Sequence, residues 1–390
     1  MADPWLCIIG LGEDGLAGLP AASREALNGA EIVFGAPRHL ALAGVGARGI
    51  EWPVPFDIAP LIARRGHRVA ALVSGDPFWF GAGGTLAAAL QPGEWRALPA
   101  PGVFSLAASR LGWRLEDTPC LGLHAAPFAR LRPHLARGCR VLATLRDGAA
   151  LPALAEWLEA QGLGAMRLTL LERLGGPQER IRTASAAGFA LTDIQAPVAV
   201  ALDGADLPAG TGLPRGFGLP DAAFAHDGQI TRRAIRAVTL SALAPHAGEL
   251  LWDIGAGSGS VSVEWCLNGG NAIAIEPRAD RIQNIAANID AFGLTGRMRA
   301  VHGAAPEALA GLPAPDAIFI GGGADAALID TLPPARITAN AVTLETEALL
   351  THLHAARGGQ LLRLSLEQAS PLGEMRGWSP ARTITQWSWP

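Results

Sequence analysis

Apolar residues along this chain come in short runs bounded by glycine, proline and acidic positions, and the runs alternate with stretches whose apolar residues recur at helical spacing. Short continuous runs read as strands buried on both faces, and the spaced pattern as amphipathic helices. In the first half the runs Trp5–Gly10, Glu31–Phe34, Arg68–Val73, Arg140–Leu145, Met166–Leu171 and Ala196–Leu202 predict strands. Helices are predicted from about Ser23, a plausible N-cap, from Pro101–Ser105 onward, and over Pro152–Ala160. In the second half Thr231 is placed to cap a helix that turns Ile235, Val238, Leu240 and Leu243 inward. Strands are predicted at Leu250–Trp252, Ala272–Ile275, Met298–His302, Asp316–Ile320, Arg336–Val342 and Gln360–Leu366. A helix with Val261, Trp265 and Leu267 inward follows the first of these, and Arg278–Phe292 reads as another, with Ile282, Ile285 and Ile289 inward. The alternating terminal run Arg382–Trp389 suits a last strand at the sheet edge. Strands alternating with helices predict an α/β fold, with ligands at the carboxyl ends of parallel strands.

The stretch Asp203–Asp221 carries Pro208, Gly210, Gly212, Pro214, Gly216, Gly218 and Pro220, too many breakers for an ordered element. It divides the 390 residues into domains 1–204 and 222–390, with a linker over 205–221.

Candidate chemistry gathers where predicted strands end. Leu250-Leu-Trp252 runs into Asp253 and then into Gly255, Ala256, Gly257, Ser258 and Gly259. Glycines at such a turn let a ligand approach the backbone. A second carboxylate, Glu276, ends the next run, about 20 residues on, where it can grip ribose hydroxyls. No cation in the turn meets a pyrophosphate, and Ser260 stands where a dinucleotide fingerprint needs its third glycine, which argues against an NAD-dependent oxidoreductase. The pattern suits a nucleoside with an amino-acid tail. A catalytically silent nucleotide binder would also keep these turns. In the first half, Gly10-Leu-Gly12-Glu-Asp-Gly15 is a weaker glycine turn. Ser74-Gly75-Asp76-Pro77 forces a sharp bend ahead of Phe78, Trp79 and Phe80, which either line a flat ligand's pocket or belong to the core.

Composition narrows the classes. With 49% hydrophobic residues the chain supports large cores, and a net charge of -4 without a basic tract makes it a poor nucleic-acid binder. Every Lys-or-Arg position is arginine. Cys7, Cys120, Cys139 and Cys266 are far apart and signal neither a zinc site nor a disulfide framework, so no metal is expected. No apolar run is long enough to span a membrane, and the chain reads as cytoplasmic.

The Asp253–Gly259 turn with Glu276 resembles the class I S-adenosylmethionine (SAM) methyltransferases. The first glycine turn, the strand ending Ser74-Gly-Asp-Pro77 and the Pro101-Gly-Val-Phe-Ser105 helix start resemble the tetrapyrrole (class III) methylases. Gly35-Ala-Pro-Arg-His-Leu-Ala-Leu42 and Leu174-Gly-Gly-Pro-Gln-Glu-Arg-Ile181 are similar to the branch that methylates C5 of precorrin-6B. That resemblance implies a two-lobed fold and a SAM site around Gly75, Asp76, Pro77, Ser105 and the Thr144–Gly148 turn, with the first glycine turn nearer the tetrapyrrole. One departure is Ala125-Ala126, where Gly-Arg is expected after His124; Arg130 and Arg146 are candidates to replace a lost carboxylate contact.

In the second half Gln229-Ile-Thr-Arg232, Gly303-Ala-Ala-Pro-Glu307, Phe319-Ile-Gly-Gly-Gly323 and Ala339-Asn-Ala-Val-Thr-Leu-Glu-Thr346 resemble the decarboxylating C15 methylases of cobalamin synthesis. This implies a Rossmann-like sheet of seven strands, the last antiparallel. It also implies SAM held by Asp253, Gly255, Ala256, Gly257, Ser258, Gly259 and Glu276, with Ala305 near the adenine and Thr231 part of the site. Asn340 is the candidate catalytic residue on the substrate side.

Together the resemblances imply one SAM per domain and methylation of precorrin-6B at C5 and C15. They further imply loss of the C12 acetate's carboxyl group to give precorrin-8x, and a homo-oligomer assembled through the second domain. A bifunctional SAM methyltransferase acting on another planar small molecule is the alternative. The meso carbons of such a macrocycle are enamine-like, so positioning rather than a strong base is demanded.

Overall fold

A computed structural model describes residues 4–390. The chain forms two compact units, one holding the chain up to Ala126 together with His134–Thr211, the other Pro127–Pro133 and Gly212–Pro390.

The first unit has two sheets. One is all-parallel, in the spatial order Gly49–Glu51, Ile32–Gly35, Val69–Ser74, Leu6–Leu11, Trp95–Leu98. Its interior Leu6–Leu11 strand, paired on both sides, is buried at every position, as the uninterrupted apolar run requires. The second sheet runs Cys120–Leu123, Arg140–Leu145, Val198–Asp203, Arg167–Glu172, Arg180–Ser185 and is mixed. The Arg180–Ser185 strand escapes the apolar pattern because it is polar. Arg180 and Arg182 both pair with Glu172, which is fully buried on the neighbouring strand. Ser23 is not a cap: the helix Ala21–Gly29 begins before it, behind Pro20, and Ser23 is buried.

The second unit is built on one seven-stranded sheet. Its order is Met298–His302, Asn271–Glu276, Leu250–Ile254, Ala317–Ile320, Arg336–Ala341, Ile384–Trp389, Gln360–Leu364. The first five run parallel, and Ile384–Trp389 runs antiparallel to both its neighbours. The last strand is therefore inserted inside the sheet, not added at its edge. Thr385, Gln386 and Trp387 are buried in succession, which only a strand covered on both faces explains.

Thr231 does not cap its helix. Arg233–Leu243 starts after Arg232 without a side-chain cap, and the Thr231 carbonyl accepts from Arg236 instead. The helix Ser260–Leu267 is buried around its whole circumference from Ser260 to Cys266. Its polar residues serve the interior. Glu264 accepts the Gly218 and Leu219 N–H groups at 2.6 and 2.9 Å and the Arg236 Nε–H at 2.6 Å. The glycine- and proline-rich stretch is thus ordered at its end, since Glu264 and Arg236 replace the hydrogen bonds that no regular element supplies there.

Candidate active sites

In the second unit the site begins where Leu250–Ile254 ends. The Gly255 and Ala256 N–H groups both donate to the Ile275 carbonyl, at 3.0 and 3.1 Å, and turn the chain over the neighbouring strand's tip. Gly255 has φ +69°, and a Cβ there would stand 2.8 Å from the Gly322 carbonyl oxygen. Two glycine loops, 255–259 and 321–323, therefore approach backbone to backbone, an approach any side chain at 255 would block. Glu276 closes the turn. It is 2% exposed; Oε2 accepts the Gly257 N–H at 2.8 Å and Oε1 the Arg278 N–H at 3.1 Å.

Asp253 lies near the end of the Leu250–Ile254 strand, just before the turn. It is fully enclosed, and its Oδ2 accepts the Ser262 hydroxyl at 2.7 Å and the Ser262 N–H at 3.3 Å. Through these bonds it braces the turn from beneath. Its Oδ1 and the buried Ser258 Oγ have no hydrogen-bond partner. Gly259 starts the helix beneath the turn, and Gln229, whose loop is tied down by Asp227–Arg281, lies over Gly257. Half-buried Ala305 packs on the apolar cluster of Trp252, Ile254 and Ile275.

Burial raises the Asp253 carboxyl to about 6, against the opposing Ser262 hydrogen bonds and with a smaller push from Glu276. The folded chain thus holds this proton more tightly than the unfolded chain, where the carboxyl titrates near its ordinary value of about 3.9. The resulting stabilisation is complete below about pH 4 and is lost as pH rises through about 6. Ionised Asp253 then costs about 3 kcal/mol. Urea midpoints for Asp253→Asn and wild type should diverge in the variant's favour by about that amount between pH 4 and pH 7. A difference that stays flat with pH would contradict the assignment.

Asn340, near the end of Arg336–Ala341, is tied into the protein. Its Nδ2 donates to Thr239 Oγ1 at 3.0 Å, and its Oδ1 accepts from Gln386 Nε2 at 2.8 Å, which also reaches Thr239 Oγ1 at 3.0 Å. The amide is oriented by two residues far away in sequence, neither of which carries a motif.

In the first unit a cavity of about 590 Å³ opens beside the Ser74–Pro77 bend. Gly75, at φ +53°, lies so close to Gly102 that a Cβ would stand 2.8 Å from the Gly102 Cα. This contact joins the bend to the helix Val103–Leu111. Asp76 lines the cavity while its Oδ1 accepts the Phe78 N–H at 2.9 Å. Pro77 is buried, and its carbonyl accepts the Gly83 N–H. Ser105 is exposed and does not line the cavity; Gly102 and Val103 do.

Trp79 and Phe80 are 41% and 56% exposed and line the cavity, with Phe104 behind them at 5.4 and 5.9 Å between ring centroids. They form a pocket wall, not core. Trp52, Phe56 and His39 complete it; His39 belongs to the Gly35–Leu42 motif, whereas Trp52 and Phe56 carry no motif. His39 Nε2 lies 2.9 Å from Ser74 Oγ; burial and then the Arg38 charge lower its pKa to about 4, so it is neutral at pH 7. Arg130 lies in the segment that belongs to the second unit, and Arg146 is exposed and paired with Asp147, so neither lines this cavity.

These two sites, each a glycine-bent backbone at the carboxyl end of parallel strands, define a two-part methyltransferase. Residues 6–190 match the family described as tetrapyrrole (corrin/porphyrin) methylases, and residues 222–390 match the precorrin methyltransferase domain. A relative from Sinorhizobium sp., named precorrin-6Y C(5,15)-methyltransferase [decarboxylating], is 47% identical over 401 residues, covering 100% of this chain and 97% of the relative. One of the same name from Mycobacterium tuberculosis is 38% identical over 398 residues, covering 98% and 99%. The crystal structure of the C-terminal domain of precorrin-6Y C5,15-methyltransferase from Rhodobacter capsulatus is 65% identical, covers 45% of this chain and 98% of its own, and superposes with a TM-score of 0.45. The chain belongs to the family of decarboxylating precorrin-6Y C(5,15)-methyltransferases, and such methyltransferases use SAM. Among the described residues no helix is long and apolar enough to cross a membrane.

Proposed function

We propose that the chain methylates precorrin-6B at C5 through residues 1–204 and at C15 through residues 222–390, joined by 205–221. We assign removal of the C12 acetate's carboxyl group, which yields precorrin-8x, to the second unit. Each unit is read as holding its own SAM, in the cytoplasm. SAM supplies the methyl group as a sulfonium electrophile. The backbone at Gly255, Ala256 and Gly257 would cradle its methionine end, Glu276 its ribose, and Ala305 its adenine. Asp253, Ser258 and Gly259 shape the turn from below, and Thr231 closes its side. The observation that carries this reading is the Gly255 turn with a nearly buried Glu276 at the adjacent strand tip. The unpartnered Asp253 Oδ1 and Ser258 Oγ fit a polar ligand settling on that turn.

In the first unit Gly75, Asp76 and Pro77 would shape the donor pocket with Gly102, Val103 and the turn of the Ser105 helix. The aromatic wall of Trp79, Phe80 and Phe104 suits the flat face of a macrocycle. The chain's own work is orientation: it holds an already nucleophilic carbon in line with the donor, which needs neither a strong base nor a metal. Asn340, fixed by Thr239 and Gln386, would orient the substrate of the second unit.

The test uses the full chain. Wild type should bind two S-adenosylhomocysteine molecules by calorimetry, add two methyl groups to precorrin-6B and release CO2. Gly75→Ala should leave one methyl addition and the CO2 release. One bound molecule in the wild type, or both methylations surviving in that variant, would overturn the division of labour.

A homo-oligomer through the second unit is part of the same reading. It rests on the hairpin Glu367–Leu372 and Met375–Pro380, where Leu372, Met375 and Trp378 are 69%, 77% and 72% exposed. Light scattering of the full chain should give a multimer that Leu372→Asp with Trp378→Asp dissociates. A monomeric wild type would end this part.

A further inference from the structure

The first glycine turn carries Glu13, and Glu13 forms an ion pair with Arg38 of the Gly35–Leu42 motif. Arg38 lines a smaller cavity, about 130 Å³, together with Glu13, Gly75, Leu171, Leu174 and Pro197. The turn is pressed against the loop that follows Arg173: a Cβ on Gly176 would stand 2.6 Å from the Glu13 Cβ. Arg173 lies between the lining residues Leu171 and Leu174, and its N–H donates to the carbonyl of Pro197, another lining residue, at 2.9 Å.

Arg173 is unusual twice over. It has φ +49°, a left-handed backbone that costs a non-glycine residue about 1–2 kcal/mol and is kept where the surroundings demand it. Its guanidinium donates only to neutral oxygens, those of Ala196 at 3.1 Å and Gln195 at 3.3 Å, and makes no ion pair among the described residues. The adjacent Glu172 is committed elsewhere, to Arg180, Arg182 and the Gln195 N–H. Arg173 is also near enough to Arg38 that, after burial, its charge is what holds the Arg38 guanidinium below the usual arginine range. Arg38 thus has one carboxylate, Glu13, and Arg173 has none among the described residues, while neighbouring His39 is neutral. Such an excess of positive charge beside a cavity is an anion site, and planar guanidinium recognises a carboxylate in a fork.

We propose that Arg38 and Arg173 form a carboxylate-binding pair in the first unit, and that Glu13 occupies Arg38 until a ligand carboxylate displaces it. The inference rests on the reading that this unit joins SAM to an acidic macrocycle. Both ligands carry carboxylates, and the experiment separates them.

In the full-length chain, Arg38→Gln and Arg173→Gln are compared with wild type for the KM of precorrin-6B in first-unit methylation and for S-adenosylhomocysteine affinity by calorimetry. A rise of about tenfold or more in KM alone assigns the pair to a macrocycle side chain; the same rise in the dissociation constant assigns it to the donor's carboxylate. Arg38→Lys, which keeps charge but loses the fork, should fall between. Glu13→Gln should tighten whichever constant the arginines control, by severalfold; no tightening removes the role given to Glu13. C15 methylation and CO2 release by the same polypeptide report that each variant is folded. With those intact, changes within twofold in both constants for both arginine variants overturn the pair. A wild type without first-unit methylation would instead overturn the reading beneath it.

Discussion

Glu276→Gln is expected to lower methyl transfer by the second unit about a hundredfold or more while leaving the first unit's transfer intact. Glu276 receives two backbone N–H groups, from Gly257 at 2.8 Å and Arg278 at 3.1 Å. A carboxylate accepts at both oxygens and keeps lone pairs over, whereas a carboxamide has one accepting oxygen and turns its NH2 against one of those donors. Each charge-assisted hydrogen bond contributes about 1.5–3 kcal/mol, and every 1.4 kcal/mol is about tenfold. Losing one such bond inside the turn and one to the ligand therefore reaches the stated range. Glu276→Asp keeps the charge but is shorter by one methylene and should fall between. Calorimetry should count one S-adenosylhomocysteine per chain in the glutamine variant. Two bound molecules with normal affinity would show that the carboxylate does not hold the donor.

The second large effect is on stability. Arg236 is fully buried. Its Nε–H donates to Glu264 at 2.6 Å, one Nη reaches Asp221 at 3.1 Å and the Thr231 carbonyl, the other Nη donates to the Leu219 carbonyl, and its plane lies 4.7 Å over the Phe224 ring. Arg236→Ala leaves the Glu264 carboxylate buried without its cation and should destabilise the second unit by about 3–5 kcal/mol. Because a domain's whole stability is about 5–15 kcal/mol, urea should unfold this unit at a much lower concentration, well before the first. Replacing both partners, Arg236→Met with Glu264→Leu, removes the unpaired charge and should recover most of the loss. An Arg236→Ala midpoint equal to wild type would mean water reaches Glu264 and the pair is not sealed.

Sequence patterns carried the local features. A buried strand announces itself as an apolar run, and a turn that meets a ligand announces itself by glycine, so the Leu250–Ile254 strand, the Gly255–Gly259 turn and Glu276 at the next strand's tip were legible. Helix starts were less so. Ser23 and Thr231 are good capping residues, but Pro20 and Arg232 hold those positions, because tertiary packing outweighs the roughly 1 kcal/mol a cap contributes. Asp253 reads as a ligand contact from its place at the strand's end; the partner of its Oδ2, Ser262, is nine residues on and was not legible.

By itself, then, the sequence determined the two α/β units, the glycine turns and the carboxylate beside the second of them, since each depends on periodicity or turn chemistry within a few residues. Only the tertiary structure decided that the last strand enters the sheet between Arg336–Ala341 and Gln360–Leu364. That insertion sets Gln386 opposite Asn340 and within reach of Thr239. It likewise decided that Glu13, Arg38 and the loop after Arg173 meet. Such meetings depend on the order in which strands pair, and residue spacing along the chain does not encode that order.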